Sequence, residues 1–551
     1  MKTLSIAFLW HMHQPFYKDT LSGKYLMPWV RLHGVKDYFP MAALVEKFDS
    51  VKANFNLVPV LMEQINDYVE NNASDTHLDL TVKKAGALTQ DEKVQLLENY
   101  FKVNFKRFIE PNARYSELLI KKGMKSLSGP ALARLLSDFS TQDYLDLQVL
   151  FNMAWFHSIS IDEDTNLKGL KEKGRDYTEE DKKYIVSCQR NILSRILPLY
   201  KKLEDEGRIE ITTTPYYHPI LPLVCDTSIA HLSSPAMPLP EKRFAHPEDA
   251  RWQVKEAIRY HTAQFGRPPR GMWPSEGSVS DEAMDIIISS GIKWVATDED
   301  ILFKSLSLYG KGAKRHGLLD RRLIYQPYRL KRASGSAAMI FRDKNLSDMI
   351  SFSYNGWDQT AAAGDLVGHF KNINANMRRD ADRGLVTIVM DGENAWEYYE
   401  DNGRTFFETL YSRLKSEDGI NSTTVSGHLE IEPPRKTLDS VFPASWINHN
   451  FEIWIGQEQD NASWEYLSKA RADLAKLTKN IKKGAGISSS SARKAWRELY
   501  ISEGSDWNWW YSGKLHSGND NPFDKLYRSH LKNIYKILKS PPPDFLKNSI
   551  A

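Results

Sequence analysis

Seven short apolar runs, each halted by polar or charged residues, constrain this chain more than any other feature. They are Leu4–Trp10, Val51–Leu57, Ile209–Thr213, Gly271–Trp273, Ile292–Thr297, Ala338–Phe341 and Leu385–Met390. The first stops at His11-Met12-His13-Gln14-Pro15, the second near Pro59, and the third at Pro215-Tyr216-Tyr217-His218. The others stop at Glu276, at Asp298-Glu299-Asp300, at Arg342-Asp343 and at Asp391. Helical stretches separate them, which is the pattern of parallel βα units. Polar chemistry gathering at the C-terminal strand ends is the habit of a βα-barrel, whose connecting loops meet on one face.

Element boundaries fit this reading. Ser280 is placed to cap a helix with Asp281 and Glu282 in its first turn, and Gly291 closes it. Lys182 to Leu203 is helical in pattern and stops near Gly207. Residues 60–170, rich in Leu, Lys and Glu at helical spacing, read as a helical insertion. The chain thus divides into a barrel over 1–400 and a mainly helical region over 401–551 that completes the site. Ser488–Ser491, after Gly484-Ala485-Gly486, reads as a surface loop.

Composition narrows the function. Lys and Arg total 73 against 70 Asp and Glu, a net charge of +3, so nothing calls for nucleic acid or a charged membrane as partner. No apolar run approaches the roughly 20 residues that span a bilayer. Two cysteines, Cys188 and Cys225, make neither a disulfide framework nor a thiolate metal site. The N-terminal segment lacks a small-residue cleavage site and reads as a buried strand, so a cytoplasmic location is expected. Of 15 Trp, eight lie between Trp396 and Trp510. Trp is commonly core, but Asp506-Trp507-Asn508-Trp509-Trp510-Tyr511 mixes rings with polar groups, as sugar binding requires.

Glu276 and Asp391 are the first candidates for chemistry. Two carboxyl groups flanking a glycosidic bond divide the work: one attacks the anomeric carbon, and the other protonates the leaving oxygen and then activates water. The acid needs a raised pKa, which burial or a neighbouring negative charge supplies. Taken singly, Glu276 could equally cap a helix and Asp391 fill a turn. His11 and His13, two apart on a strand, face one pocket. They suit sugar hydroxyls, core hydrogen bonds or half of a metal site. His218 follows as a weaker candidate.

Together these segments resemble glycoside hydrolase family 57. Five motifs stand in order: His11-Met12-His13-Gln14-Pro15; Gly207-Arg208-Ile209-Glu210, running on to 213–219; Gly271 to Glu276; Met390-Asp391-Gly392-Glu393-Asn394; and Glu503-Gly504-Ser505-Asp506-Trp507. The resemblance implies an α/β fold, an incomplete TIM-type (β/α)7 barrel followed by a helical region. It implies a retaining enzyme acting on α-glucans, with Glu276 as nucleophile and Asp391 as acid/base. The wording of motifs two to five is most similar to the amylopullulanase branch, with Gly277 departing from it where a larger residue is expected. Within this frame His11, His13, His218 and Asp506 are expected to bind sugar hydroxyls, and Trp273 to wall the subsite of the cleaved glucose. Trp396, Trp507 and Trp510 are expected to stack on further units, and Arg342 and Asp343 to orient a carboxylate. No metal and no cofactor is called for. The partner is an α-glucan or maltooligosaccharide, and oligomeric state is left open.

Three rivals remain at this stage. The same carboxylates serve a 4-α-glucanotransferase or branching enzyme if a sugar replaces water. A metal-dependent barrel hydrolase or deacetylase would use His11 and His13 with Asp298 or Asp391. A glucan-binding protein without turnover would keep the cleft alone.

Overall fold

The computed structural model describes residues 3–123, 130–310, 320–377, 383–479, 488–511 and 520–550. All seven apolar runs are strands of one barrel. They are β1 (Leu4–Met12), β2 (Ala53–Leu57), β3 (Ile209–Thr212), β4 (Gly271–Met272), β5 (Trp294–Asp298), β7 (Gly335–Arg342) and β8 (Leu385–Asp391), with β6 (Tyr328–Arg332) intervening in sequence. Around the ring, parallel pairing runs β3-β2-β1-β8-β7-β5-β4. A Thr213–Met272 bridge brings β4 back to β3, and β7 meets β8 at the single register pair Arg342–Thr387, so the barrel is nearly closed.

Every residue of β1 is buried, because a barrel strand has the interior on one side and helices on the other. Ala7, Leu9, Ala296, Ala338, Ile340 and Val389 fill the inside with Trp273 and Trp294. Ile6, Phe8 and Trp10 alternate outward into the larger cluster shared with the helices.

Between β2 and β3 the named elements among the described residues are all helical, among them Pro59–Glu70, Thr76–Val82, Gln90–Asn99, Ala113–Lys122, Thr141–Met153 and Glu179–Asp205. Thr89, Ser140 and Thr178 start three of them with capping boxes. Arg31, on the short helix Trp29–His33 that follows β1, ties into this region. Its Nε donates to Asp75 Oδ2 at 2.8 Å, and one terminal nitrogen reaches Gln189 (2.7 Å) and Asn152 (3.1 Å), all buried.

Past residue 400 the chain still adds to the sheet. β9 (Ile420–Ser422) pairs with the start of β1, and β10 (Lys436–Leu438) pairs with β6, which is antiparallel to β7. Helices Glu458–Thr478, Ser489–Ser502, Asp506–Tyr511 and Asp520–Ile537 follow. Ser488 is not loop: its hydroxyl caps Ser489–Ser502 by accepting from Ser491 N, so the serine run is a helix start. Gly484-Ala485-Gly486 lies outside the described residues. Cys188 and Cys225 are free and buried. Among the described residues no helix is long and apolar enough to cross a membrane.

Candidate active site

Strand register sets the floor of the site. Asp391 of β8 stands level with His11 of β1, His11 with Asn56 of β2, and Asn56 with Thr212 of β3. At these C-terminal ends opens a cleft of about 680 Å3, lined by His11, His13, Glu276, Asp391, Trp446, Asp506 and Trp510 among others. Glu276 and Asp391, 115 residues apart, therefore face the same space.

Glu276 sits on a tight turn after β4, with φ +56° and ψ +29°, a left-handed conformation that an L-residue adopts at a cost. Gly277 follows at φ +58°. A Cβ there would lie 2.7 Å from the Trp273 ring, so only glycine fits. The small residue at 277 thus matches the tryptophan beneath it. Trp446 closes the turn from above. Its backbone N–H donates to Glu276 O (3.0 Å) and its indole Nε1 to Glu276 Oε2 (2.7 Å). Burial, then the Asp391 charge, push the Glu276 carboxyl up to about 8, against the pull of the Trp446 bond. Burial also raises Asp391, opposed by Asn394, whose amide donates to Oδ2 at 2.9 Å, and by His13 and Arg342. Burial thus favours the neutral form of both carboxyl groups, and the facing Asp391 charge favours it further at Glu276. A third carboxyl, Glu393, is buried beside them and pushed well above its usual range by burial and by Asp391.

His11 Nδ1 lies 2.6 Å from Asn56 Oδ1. That oxygen only accepts, so Nδ1 carries the hydrogen. Burial, then His13, depress His11 to about 3, leaving a neutral ring whose Nε2 is an acceptor. His13 Nε2 donates to both oxygens of Asp506 (2.9 and 3.1 Å), which joins the C-terminal region to the barrel. His218 lies behind: it is fully buried, stacks on His13 with ring centroids 3.9 Å apart, and its Nδ1 meets Ser505 Oγ at 2.8 Å.

The donor atoms of His13, His218 and Asp506 lie within 4.8 Å of one another. The two imidazole planes are only 17° from parallel, however, so their in-plane lone pairs run side by side instead of converging on one ion. Asp298, offered earlier as a metal ligand, is instead paired with Arg342 at 3.3 Å. With Asp300 and His449 it forms the other cluster whose donor atoms lie within 4.8 Å. Hydrogen bonds to those two carboxylates push His449 up to about 9.

Several expected sugar contacts lie elsewhere. Trp273 is fully buried under Gly277 and against Trp446, so it supports the turn and does not wall the subsite. Trp396 is core: its Nε1 donates to Gly392 O, and its ring packs on Trp10 and Phe407. Trp507 is also core, bonded to Ile501 O and packed on Tyr527 and His530. Asp343 caps helix Lys344–Asp348 and accepts from Arg321 and Tyr325, outside the cleft. Arg342 does not line the cleft. It donates to Val389 O, spreads its guanidinium 5.1 Å from the Trp446 ring, and reaches Asp391 through charge alone. His218 does not line the cleft and reaches it only from behind, against His11, His13 and Ser505, which do.

Sequence reasoning missed Trp446, Trp29, His33, Trp155 and Tyr398, all of which line the cleft, as does Trp509 within the Trp-rich stretch the sequence pointed to. Trp446 is 170 residues from Glu276, and its loop carries no strand-end signature.

Fold and site define a (β/α)7-barrel enzyme with a carboxyl pair at its C-terminal mouth. The sequence profile of Glycosyl hydrolase family 57 matches residues 7–441, and the chain belongs to that family. Alpha-amylase 1 of Dictyoglomus thermophilum is 26% identical over 103 residues, 19% of this chain and 12% of that relative. The fold is similar to a family 57 branching enzyme from Thermococcus kodakaraensis (TM-score 0.63, 14% identity, 97% of this chain and 90% of that one). It is also similar to the α-amylase AmyC from Thermotoga maritima (TM-score 0.60, 14% identity, 99% and 96%).

Proposed function

We propose that this enzyme cleaves α-glucosidic bonds in α-glucans with retention of configuration, Glu276 acting as nucleophile and Asp391 as acid/base. The observation that carries this reading is the two carboxyl groups lining one cleft, each buried and each pushed upward by that burial. Glu276 attacks C1 as the C1–O bond breaks, and Asp391 passes its proton to the departing oxygen. The β-linked glycosyl-enzyme is then opened by water, whose proton returns to Asp391. In the empty cleft, burial holds Glu276 high. Positive charge developing at C1 favours the Glu276 anion and leaves the proton on Asp391, helped by the Trp446 N–H. His11, His13, Asp506 and Trp510 hold the sugar.

Transfer to a second sugar is the alternative use of the same pair, as in a 4-α-glucanotransferase or branching enzyme. Cleft aromatics on separate elements favour it, Trp29 and Trp155 on one side of the chain and Trp509 and Trp510 near its end, since an acceptor needs its own platform.

The test is maltoheptaose digestion by wild type, Glu276→Gln and Asp391→Asn. Each substitution is expected to lower kcat at least about 10^3-fold with little change in binding. Azide added to Glu276→Ala should yield a β-glycosyl azide. Near-normal turnover by Glu276→Gln, or an inverted product from wild type, overturns the assignment. Products longer than the substrate identify transfer.

A further inference from the structure

Five aromatic side chains among the described residues stand well out of the surface: Phe352 (75% exposed), Trp357 (50%), Tyr398 (48%), Phe105 (42%) and Tyr309. Single exposed rings are ordinary on a protein surface. Four of these five, however, sit on turns that touch one another beside the cleft. Tyr398 is the hub. It lines the cleft, and its carbonyl accepts from Arg107 Nε (3.1 Å) and a terminal nitrogen (2.9 Å), on the turn that carries Phe105. On its other side the Trp396–Tyr398 turn packs on the Tyr354–Gly356 turn, which leads straight into Trp357. Gln359 Nε2 donating to Glu400 O (2.7 Å) and Tyr399 Oη donating to Ile350 O fasten the two segments together. Tyr354 fixes Trp357 edge-on at 5.3 Å, so the indole is held out and is not free to fold down. Phe352 lies on the preceding turn, Met349–Ser353, which packs on Tyr354–Gly356.

Clustered exposed aromatics on fastened turns mark a binding surface. Rings that present flat faces beside polar groups suit the alternating apolar and hydroxylated faces of pyranoses. Tyr398 belongs both to the cleft and to this surface, so what enters one runs onto the other. We propose that Phe105, Tyr398, Trp357 and Phe352 form a second α-glucan-binding surface, which holds the polymer where it leaves the cleft. It makes the enzyme prefer long chains over short ones. This rests on the reading of the cleft as a glucan site.

The experiment compares wild type with the double variant Phe352→Ala, Trp357→Ala, neither residue lining the cleft. On amylose KM is expected to rise roughly fivefold, the loss of about one ring-stacking contact, with kcat unchanged. On maltotriose both constants should stay as in wild type. In parallel, electrophoresis through gels containing glycogen is run with Glu276→Gln, alone and combined with the double variant. Retardation should be lost only in the combination. Equal impairment on amylose and maltotriose, unchanged retardation, or a dimer that the double variant dissolves would each overturn the proposal, the last by assigning the patch to a second copy of the chain. If Glu276→Gln itself turns over glucan, the cleft assignment fails, while gel retardation still reports on the outer surface.

Discussion

Replacing Trp446 by Phe keeps the ring over Trp273 and beneath Arg342 but removes the N–H that meets Glu276 Oε2 at 2.7 Å. A hydrogen bond to a charged acceptor is worth about 1.5–3 kcal/mol, so the proton affinity of Glu276 should rise by roughly 1–2 pKa units. In the proposed mechanism the reactive form has Glu276 charged and Asp391 protonated. Raising the affinity of Glu276 disfavours that form, so kcat/KM near neutrality should fall roughly 10- to 100-fold. The alkaline limb, set in wild type by the group at about 8, should move up by the same 1–2 units. Well above that limb both enzymes depend only on the proton affinity of Asp391, and their profiles should merge. The assay is kcat/KM on maltoheptaose from pH 5 to 10. A loss of equal size at every pH would mean that the substitution damages the fold, and no loss at all would mean that the N–H does not govern Glu276.

Three further outcomes follow from the same turn and its surroundings. Gly277→Ala sets a Cβ 2.7 Å from the fully buried Trp273 ring at φ +58°, so it should cost about 2 kcal/mol or more in chemical denaturation and lower kcat through the adjacent Glu276. Arg31→Met leaves Asp75 buried without its cation, so a loss of about 3–5 kcal/mol is expected. Asp75 is held below its usual range in the folded protein, with burial opposing and Arg31 foremost among the groups that lower it, so this contribution exists above the unfolded pKa and the penalty should shrink in acid. His449, beside Asp298 and Asp300, is raised to about 9, so its contribution is complete below the ordinary histidine value and lost as pH passes 9. His449→Gln should accordingly lower Tm at pH 6 and leave it unchanged at pH 10.

The seven barrel strands were legible because they are largely buried on both faces, so each reads as a short stretch dominated by apolar residues and ending in polar ones, even where Asn54, Asn56 or Glu210 interrupts it. β6, with alternating buried and exposed positions among basic residues, and β9 and β10, three residues each, send no such signal. They join the sheet through partners distant in sequence. The carboxyl pair was legible for the same reason as the strands, since both residues close or directly follow one. Most of the tryptophans were not: Trp510 lines the cleft as expected, but Trp273, Trp396 and Trp507 do not. Wall and core use the same ring, and what separates them is where Nε1 goes. In Trp396 and Trp507 it turns inward to backbone carbonyls, while in Trp446 it meets a carboxylate.

The stretch Trp273-Pro274-Ser275-Glu276-Gly277 shows how far local reasoning reaches. The placement of an acidic group between a tryptophan and a glycine is explained once the turn is built. Two successive left-handed residues reverse the chain within a few atoms of β4, and that reversal aims the carboxyl into the cleft. The reversal brings the backbone of residue 277 down onto the Trp273 ring, which is why a side chain is excluded there. Trp446 then clamps the reversed turn at both the backbone and the carboxyl of Glu276. Its own loop is pinned by a Ser445 hydroxyl bonded to Asn450 O at 2.8 Å and by His449 close against Asp300. The strained Glu276 turn is thus held between one indole below and one above, and the second comes from a segment that no strand pattern announces. Strain at Glu276 is sustained by contacts far along the chain, so loosening the Ser445–Asn450 loop should impair Glu276 without touching it.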